Sequence, residues 1–167
     1  LGPQGFHDVS GITGLVKPTM KNLAFGTVMH DFDHDGWQDI FVANGHIDDH
    51  RSEGGEWAMS PQVFSFDGRR WHEVSATAGD FFRHKYVGRG VATGDFDDDG
   101  RLDLAVVHQD SNSAILKNVS QGGHWLKVRF LCRISNRSAI GTRVTVRAGD
   151  ESWMQELAGG TSFCASH

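Results

Sequence analysis

One nine-residue pattern occurs twice, and it constrains this chain more than any other feature. Asp31-Phe32-Asp33-His34-Asp35-Gly36-Trp37-Gln38-Asp39 and Asp95-Phe96-Asp97-Asp98-Asp99-Gly100-Arg101-Leu102-Asp103 both read D-x-D-x-D-G-x-x-D, with their first residues 64 positions apart. The repetition reaches beyond the acidic runs. Gly26 matches Gly90, Ile40-Phe41-Val42 matches Leu104-Ala105-Val106, and Phe6-His7-Asp8-Val9-Ser10 matches Trp71-His72-Glu73-Val74-Ser75 at nearly the same step. Recurrence at a fixed period marks a repeat architecture, in which no single unit buries its hydrophobic face alone.

The spacing inside each pattern points to cation coordination. Asp31, Asp33 and Asp35 stand at positions 1, 3 and 5 of a tight loop, as do Asp95, Asp97 and Asp99, so three carboxylates converge on one centre. Gly36 and Gly100 at position 6 permit the sharp turn. The backbone carbonyl of Trp37 or Arg101 at position 7 adds a neutral oxygen, and Asp39 or Asp103 at position 9 closes the cage. Hard oxygen ligands in a flexible loop of high coordination number suit Ca2+, whereas Mg2+ demands stricter octahedral geometry. A single Asp-rich loop is often only a solvated surface turn. Two loops of one pattern, at one repeat position, favour about two Ca2+ ions per chain. An EF-hand is excluded, because its position-12 Glu is replaced by Val42 and Val106 and the flanking segments read as strands.

Alternation and turn signals place strands near residues 6–9, 24–30, 39–43, 62–66, 70–74, 88–94, 103–108 and 113–118. Asp67-Gly68 is a hairpin turn, and the polar stretch 46–61 reads as an excursion loop. No long apolar stripe of helical period is present. The expected fold is all-β: a partial β-propeller of about two blades with Asp-rich calcium loops, followed by a small C-terminal β-module. The propeller part spans residues 1–118 and the module 119–167. In the module, Leu126, Val128 and Phe130 alternate with Trp125, Lys127 and Arg129, and Val144 and Val146 with Arg143, Thr145 and Arg147.

Composition supports this picture. Glycine (21 residues) is nearly twice its usual share of about 7%, while proline (3) is scarce, as expected for many tight turns between short strands. The formal net charge of −5 argues against nucleic-acid binding. No apolar run approaches the roughly 20 residues that span a bilayer. The opening residues carry neither an initiator Met nor a signal peptide, so the chain reads as an internal fragment. Cys132 and Cys164 are too few for a disulfide framework and are consistent with two thiols or one bridge.

The residues on this page also carry a family resemblance. The two Asp loops, each preceded by a Gly-containing strand (Phe25-Gly26-Thr27-Val28 and Gly88-Arg89-Gly90-Val91-Ala92), resemble the FG-GAP/VCBS repeats of integrin-α-like β-propellers. Phe41-Val42-Ala43-Asn44-Gly45-His46 is similar to the last blades of propellers of the cartilage acidic protein type and their bacterial relatives. From about residue 118, His124-Trp125-Leu126-Lys127-Val128-Arg129-Phe130, the stretch from Ser135 to Val144 and the stretch from Glu156 to Phe163 resemble the ASPIC/UnbV module. The resemblance implies a secreted, cell-surface or periplasmic protein that presents a surface to a protein or glycan partner, with no catalysis of its own. The expected function is therefore a non-enzymatic, calcium-binding repeat protein for extracellular adhesion, scaffolding or protein–protein interaction. The alternative is the non-catalytic tail of a larger secreted enzyme.

Other candidates weigh less. His46, Asp48, Asp49 and His50 include metal-ligating types, yet a loop packed on the propeller accounts for them as well. No G-x-S-x-G elbow and no phosphate-binding Gly loop is present. Asn118-Val119-Ser120 and Asn136-Arg137-Ser138 fit the carbohydrate-acceptor pattern. Asn136-Arg137 reads as a turn closed by side-chain hydrogen bonds, with an anion-binding turn as the other reading.

Overall fold

The acidic loops are the places where the chain reverses. In the computed structural model, which describes residues 5–134 and 136–158, β1 (Ala24–His30) enters the first loop and β2 (Asp39–Asn44) leaves it. The two pair antiparallel, with His30 opposite Asp39 and Gly26 opposite Ala43. β3 (Gln62–Phe66) and β4 (Trp71–Glu73) extend the sheet in the order β1-β2-β3-β4. The Asp67-Gly68 turn joins β3 to β4 as expected. Asp67 Oδ1 accepts the N–H groups of Arg69 and Arg70 at 2.8 and 2.7 Å, and Gly68 takes φ +84°.

β5 (Gly88–Gly94), β6 (Asp103–His108) and β7 (Ala114–Leu116) then repeat the first three strands around the second loop. Even the irregularity recurs, since the register shifts between Ala24 and Gly26 in one sheet and between Gly88 and Gly90 in the other. A hairpin of β8 (Arg143–Ala148) and β9 (Glu151–Glu156) follows, with Arg143 opposite Glu156 and ion-paired to it at 3.1 Å. The architecture is all-β: two successive antiparallel meanders, arranged as blades of a partial propeller, and a C-terminal hairpin.

The core belongs to neither blade alone. Val28, Phe41 and Ala43 come from the first sheet and Val91, Leu104 and Val106 from the second, with Phe32, Phe81, Phe82 and Leu116 packed around them. Burying a side chain of the Val, Leu or Phe class contributes about 1.5–3 kcal/mol, so the blades stabilise each other across this joint. Close approach of backbone to backbone makes the joint possible. A Cβ built on Gly26 would stand 2.8 Å from the Val91 nitrogen and 2.9 Å from the Arg89 oxygen. Polar contacts fasten the same seam: Thr93 Oγ1 lies 3.0 Å from His30 Nε2, and Arg89 donates to the His46 carbonyl at 2.7 Å while its guanidinium covers the Phe25 ring.

Three expectations change. Residues 6–9 form no strand, because a strand exists only against a neighbour and the described residues offer this segment none. Its kinship with the Trp71–Ser75 stretch still shows in the backbone. Val9 (φ −111°, ψ 5°) and Val74 (φ −113°, ψ 9°) each lead into a helical turn, Ser10–Thr13 (α1) and Ser75–Thr77 respectively. Residues 124–130 also form no strand; they run across the acidic loops, where side-chain contacts hold them. A second short helix, α2 (Val16–Thr19), was not foreseen. It is tied to the start of β3 by the buried Gln62, whose Nε2 donates to the Pro18 carbonyl at 3.0 Å.

The joint gives a direct test. Gly26→Ala forces a methyl group into backbone atoms that cannot move aside, and overpacking of this kind costs about 1–3 kcal/mol. Gly11, in α1, has open space where a Cβ would go. Thermal melts of the two Ala variants are expected to show a clear loss for Gly26→Ala and none for Gly11→Ala.

Candidate metal centres

Each loop is folded by its own carboxylates before any ion is considered. Asp31 accepts the N–H of Asp35 at 3.1 Å and of Gly36 at 2.9 Å; Asp95 accepts those of Asp99 at 3.0 Å and Gly100 at 3.2 Å. Position 5 accepts from position 7 in both, Trp37 to Asp35 at 2.8 Å and Arg101 to Asp99 at 3.0 Å. Position 9 reaches back to position 2, Phe32 to Asp39 at 3.1 Å and Phe96 to Asp103 at 2.9 Å. Two residues in each loop take left-handed backbone: Gly36 (φ +93°) and Gly100 (φ +89°), and, at position 4, His34 (φ +56°) and Asp98 (φ +62°). The pattern foretold the glycines. Position 4 was not singled out, although Asp and His are among the residue types that tolerate this region best.

These turns bring three carboxylates of each loop together. Oxygens of Asp31, Asp33 and Asp39 lie within 4.8 Å of one another, and so do oxygens of Asp95, Asp97 and Asp99. Oxygens gathered this closely suit a hard cation, and a flexible loop of carboxylates accommodates the higher coordination number of Ca2+ more readily than the strict octahedron of Mg2+. Asp35 and Asp103 lie outside these two groups. Asp103 has both oxygens engaged, one by the Phe96 N–H and one by the Asn118 N–H at 2.7 Å. Trp37 and Arg101, expected to contribute carbonyls, have side chains with other tasks. The Trp37 ring packs edge-on against Phe66 of β3, and the Arg101 guanidinium pairs with Asp99 and donates to the Asn118 carbonyl at 3.0 Å.

Asp39 is the most telling residue. It is 4% exposed, its Oδ2 accepts the Phe32 N–H, and its Oδ1 is buried with no hydrogen-bond partner. Burial pushes its carboxyl up to about 6; the Phe32 N–H and, more weakly, the Ser65 hydroxyl pull the other way, and the Asp33 charge adds to the rise. Asp33 is raised as well, by burial first and then by the Asp35 charge. A buried, unmatched carboxylate oxygen beside two further carboxylates is the environment that a hard cation satisfies, so the residues of the first loop fit Ca2+.

The second loop has the same backbone and a different electrostatic setting. Lys127 donates to Asp95 at 3.1 Å and also to Asp98. Lys117 pairs with Asp97 and stands 3.6 Å from Asp99. Lys117 holds the Asp97 carboxyl below the usual range. At Asp95 burial pushes upward, but the Lys127 ammonium and the loop N–H groups outweigh it and the net shift is downward. Among the described residues, no Lys or Arg pairs with any carboxylate of the first loop. Sequence reasoning missed these lysines, which approach from 20 and 32 residues away and leave no local signal.

Residues after β7 cover both loops. Asn118 Nδ2 donates to the Phe32 carbonyl at 2.8 Å and the Leu102 carbonyl at 3.2 Å, joining the two loops through one amide. The Trp125 ring lies against Gly100 and the Trp153 indole against Gly36. Between them is a cavity of about 790 Å³, lined by Asp31, His34, Asp95, Trp125, Lys127 and Trp153 among others. The remaining candidates resolve simply. His46 Nδ1 lies 3.0 Å from the Asp48 carbonyl and Asp49 pairs with Arg51, so that loop packs on itself. Asn136 closes its turn on both sides, accepting from the Ile140 N–H at 2.9 Å and donating to the Ile140 carbonyl at 3.1 Å. Cys132 is half-buried, and its pairing with Cys164 concerns a residue outside the described ones, as does the stretch from Gly159 to Phe163.

The family model described as an FG-GAP-like repeat matches residues 31–106, which takes in both acidic loops, and the model described as ASPIC and UnbV matches residues 133–167. No curated protein and no solved structure matches the chain. No helix among the described residues is long and apolar enough to cross a membrane.

The raised Asp39 carboxyl fixes the sign of a pH effect. In chelator, folded chain holds a proton on Asp39 up to about pH 6, while unfolded chain releases it near the ordinary value of about 3.9. The folded form therefore binds more protons in that window, and stability is lost as pH rises from about 4 through 6. Chemical denaturation in chelator across this range is expected to show that decline, flattened in Asp39→Asn; an unchanged slope would assign it to another group.

Proposed function

Since the chain carries an FG-GAP-like repeat followed by an ASPIC and UnbV segment, we propose that it is a non-enzymatic, Ca2+-stabilised propeller segment that presents a protein- or glycan-binding surface outside the cytoplasm. The observation that carries the metal reading is the buried Asp39 carboxylate, one oxygen of which has no hydrogen-bond partner, grouped with carboxylate oxygens of Asp31 and Asp33 on a loop whose backbone is duplicated at Asp95–Asp103. The proposed ligands are Asp31, Asp33, Asp35, Asp39 and the Trp37 carbonyl in one loop, and Asp95, Asp97, Asp99, Asp103 and the Arg101 carbonyl in the other.

The role of the ion is mechanical. It neutralises carboxylates that the turn has forced together and locks the turn between the first two strands of each blade, on the side where residues 118–127 cross. Extracellular modules work with Ca2+ affinities on the order of 10⁻⁴–10⁻³ M, and a ligand that binds only the folded form adds stability by mass action. Nothing in the two loops supplies a nucleophile beside a base, which supports a binding rather than a catalytic role for them.

Calorimetric titration with Ca2+, with Mg2+ as control, is expected to show about two Ca2+ ions per folded chain and a raised melting temperature. Asp31→Ala should lower the melting temperature in Ca2+ and change it little in chelator. Equal losses in both conditions would mean that the loop is stabilised by its internal hydrogen bonds alone.

A further inference from the structure

The two loops share a backbone and differ in which cations already occupy them. Oxygens of Asp31, Asp33 and Asp39 converge, and no Lys or Arg pairs with them or with Asp35 among the described residues. Every carboxylate of the second group has a cationic partner within the chain: Lys127 on Asp95, Lys117 on Asp97, and Arg101 with Lys117 on Asp99. The difference has a visible origin at position 4. Its left-handed backbone projects His34 in the first loop and Asp98 in the second, and Asp98 gives Lys127 its second anchor.

Lys127 is also the residue that fastens the crossing segment. Residues 124–130 belong to no sheet, and their polar attachment to the second loop is the Lys127 ammonium shared between Asp95 and Asp98. Asp95 already accepts the N–H groups of Asp99 and Gly100, one on each oxygen. A divalent ion bound by Asp95, Asp97 and Asp99 would stand against the Lys127 ammonium at the same carboxylate, and two cations repel there.

Resting on the Ca2+ reading above, we propose that the loops fill in order and that the second is a latch: Ca2+ enters Asp31–Asp39 first, and Ca2+ at Asp95–Asp103 displaces Lys127 and releases residues 124–130 from the propeller. The segment between the blades and the β8–β9 hairpin is then closed at low Ca2+ and loosened at high Ca2+. The cavity between the loops and Trp125 widens with it.

The test pairs calorimetry with hydrogen-exchange mass spectrometry on the whole chain, using Ca2+ itself as the probe. Wild type is expected to show two binding steps. Exchange in 124–130 should stay unchanged through the first step and rise in the second. Lys127→Gln, at an exposed position, should tighten the second step by up to roughly fivefold, the upper end for one surface ion pair, and make exchange in 124–130 high and insensitive to Ca2+. Lys127→Arg, which keeps the charge, should behave as wild type. Two ions bound with one affinity, a Lys127→Gln titration matching wild type, or greater protection of 124–130 in Ca2+ would each overturn the latch and leave the Ca2+ sites standing. Absence of Ca2+ binding in folded wild type and in Lys127→Gln alike would overturn both readings together.

Discussion

A carboxylate buried at the first residue of a strand is the constraint on which the rest of this structure depends. Asp39 opens β2 and Asp103 opens β6, and both are almost fully enclosed. Burial of such a group is unfavourable unless its oxygens are matched, so each reaches back across its loop to a backbone N–H. That reach sets the width of the turn, the turn sets the register of the two inner strands, and the register directs Phe41 and Val106 into the joint between the blades. Where Asn118 completes the match at Asp103, the chain after β7 is drawn onto the loops. Where no hydrogen bond completes it at Asp39, one oxygen is left unmatched.

The blades are duplicates in backbone and not in charge. Repeat proteins keep those features that neighbouring units need from one another, namely strand register, the bulge ahead of Gly26 and Gly90, and the glycine that lets the inner strands touch. Side chains pointing away from the joint are free to diverge. His34 and Asp98 occupy one conformation with opposite electrostatic consequences, and among the described residues Lys117 and Lys127 have no counterparts on the first loop.

Most of the fold was legible because its signals are local. Strands β1 to β7 follow from alternation between turn residues, the hairpin follows from Asp67-Gly68, and the loops follow from a spacing that has few other uses. The illegible parts depend on partners distant in sequence. Residues 6–9 have the composition of a strand, but a strand is a relation between two segments and composition describes one. Residues 124–130 alternate like a strand, yet the ammonium of Lys127 and the ring of Trp125 commit the segment to the acidic loops instead. At the candidate metal centres, the converging aspartates were readable from their positions. The unsatisfied oxygen of Asp39 and the salt-bridged state of Asp95 and Asp97 depend on burial and on lysines brought in by the fold.

Asn118 shows how a fold can overrule a sequence code. Its neighbours spell a carbohydrate acceptor, but the amide nitrogen that would carry the sugar has both of its protons engaged, one toward each acidic loop. A glycan at that nitrogen would take one proton away and wedge a bulky group into the seam between the blades. Modification and native structure are thus mutually exclusive at this residue: a transferase could act only on chain that has yet to fold, and the folded molecule, once formed, is closed to it.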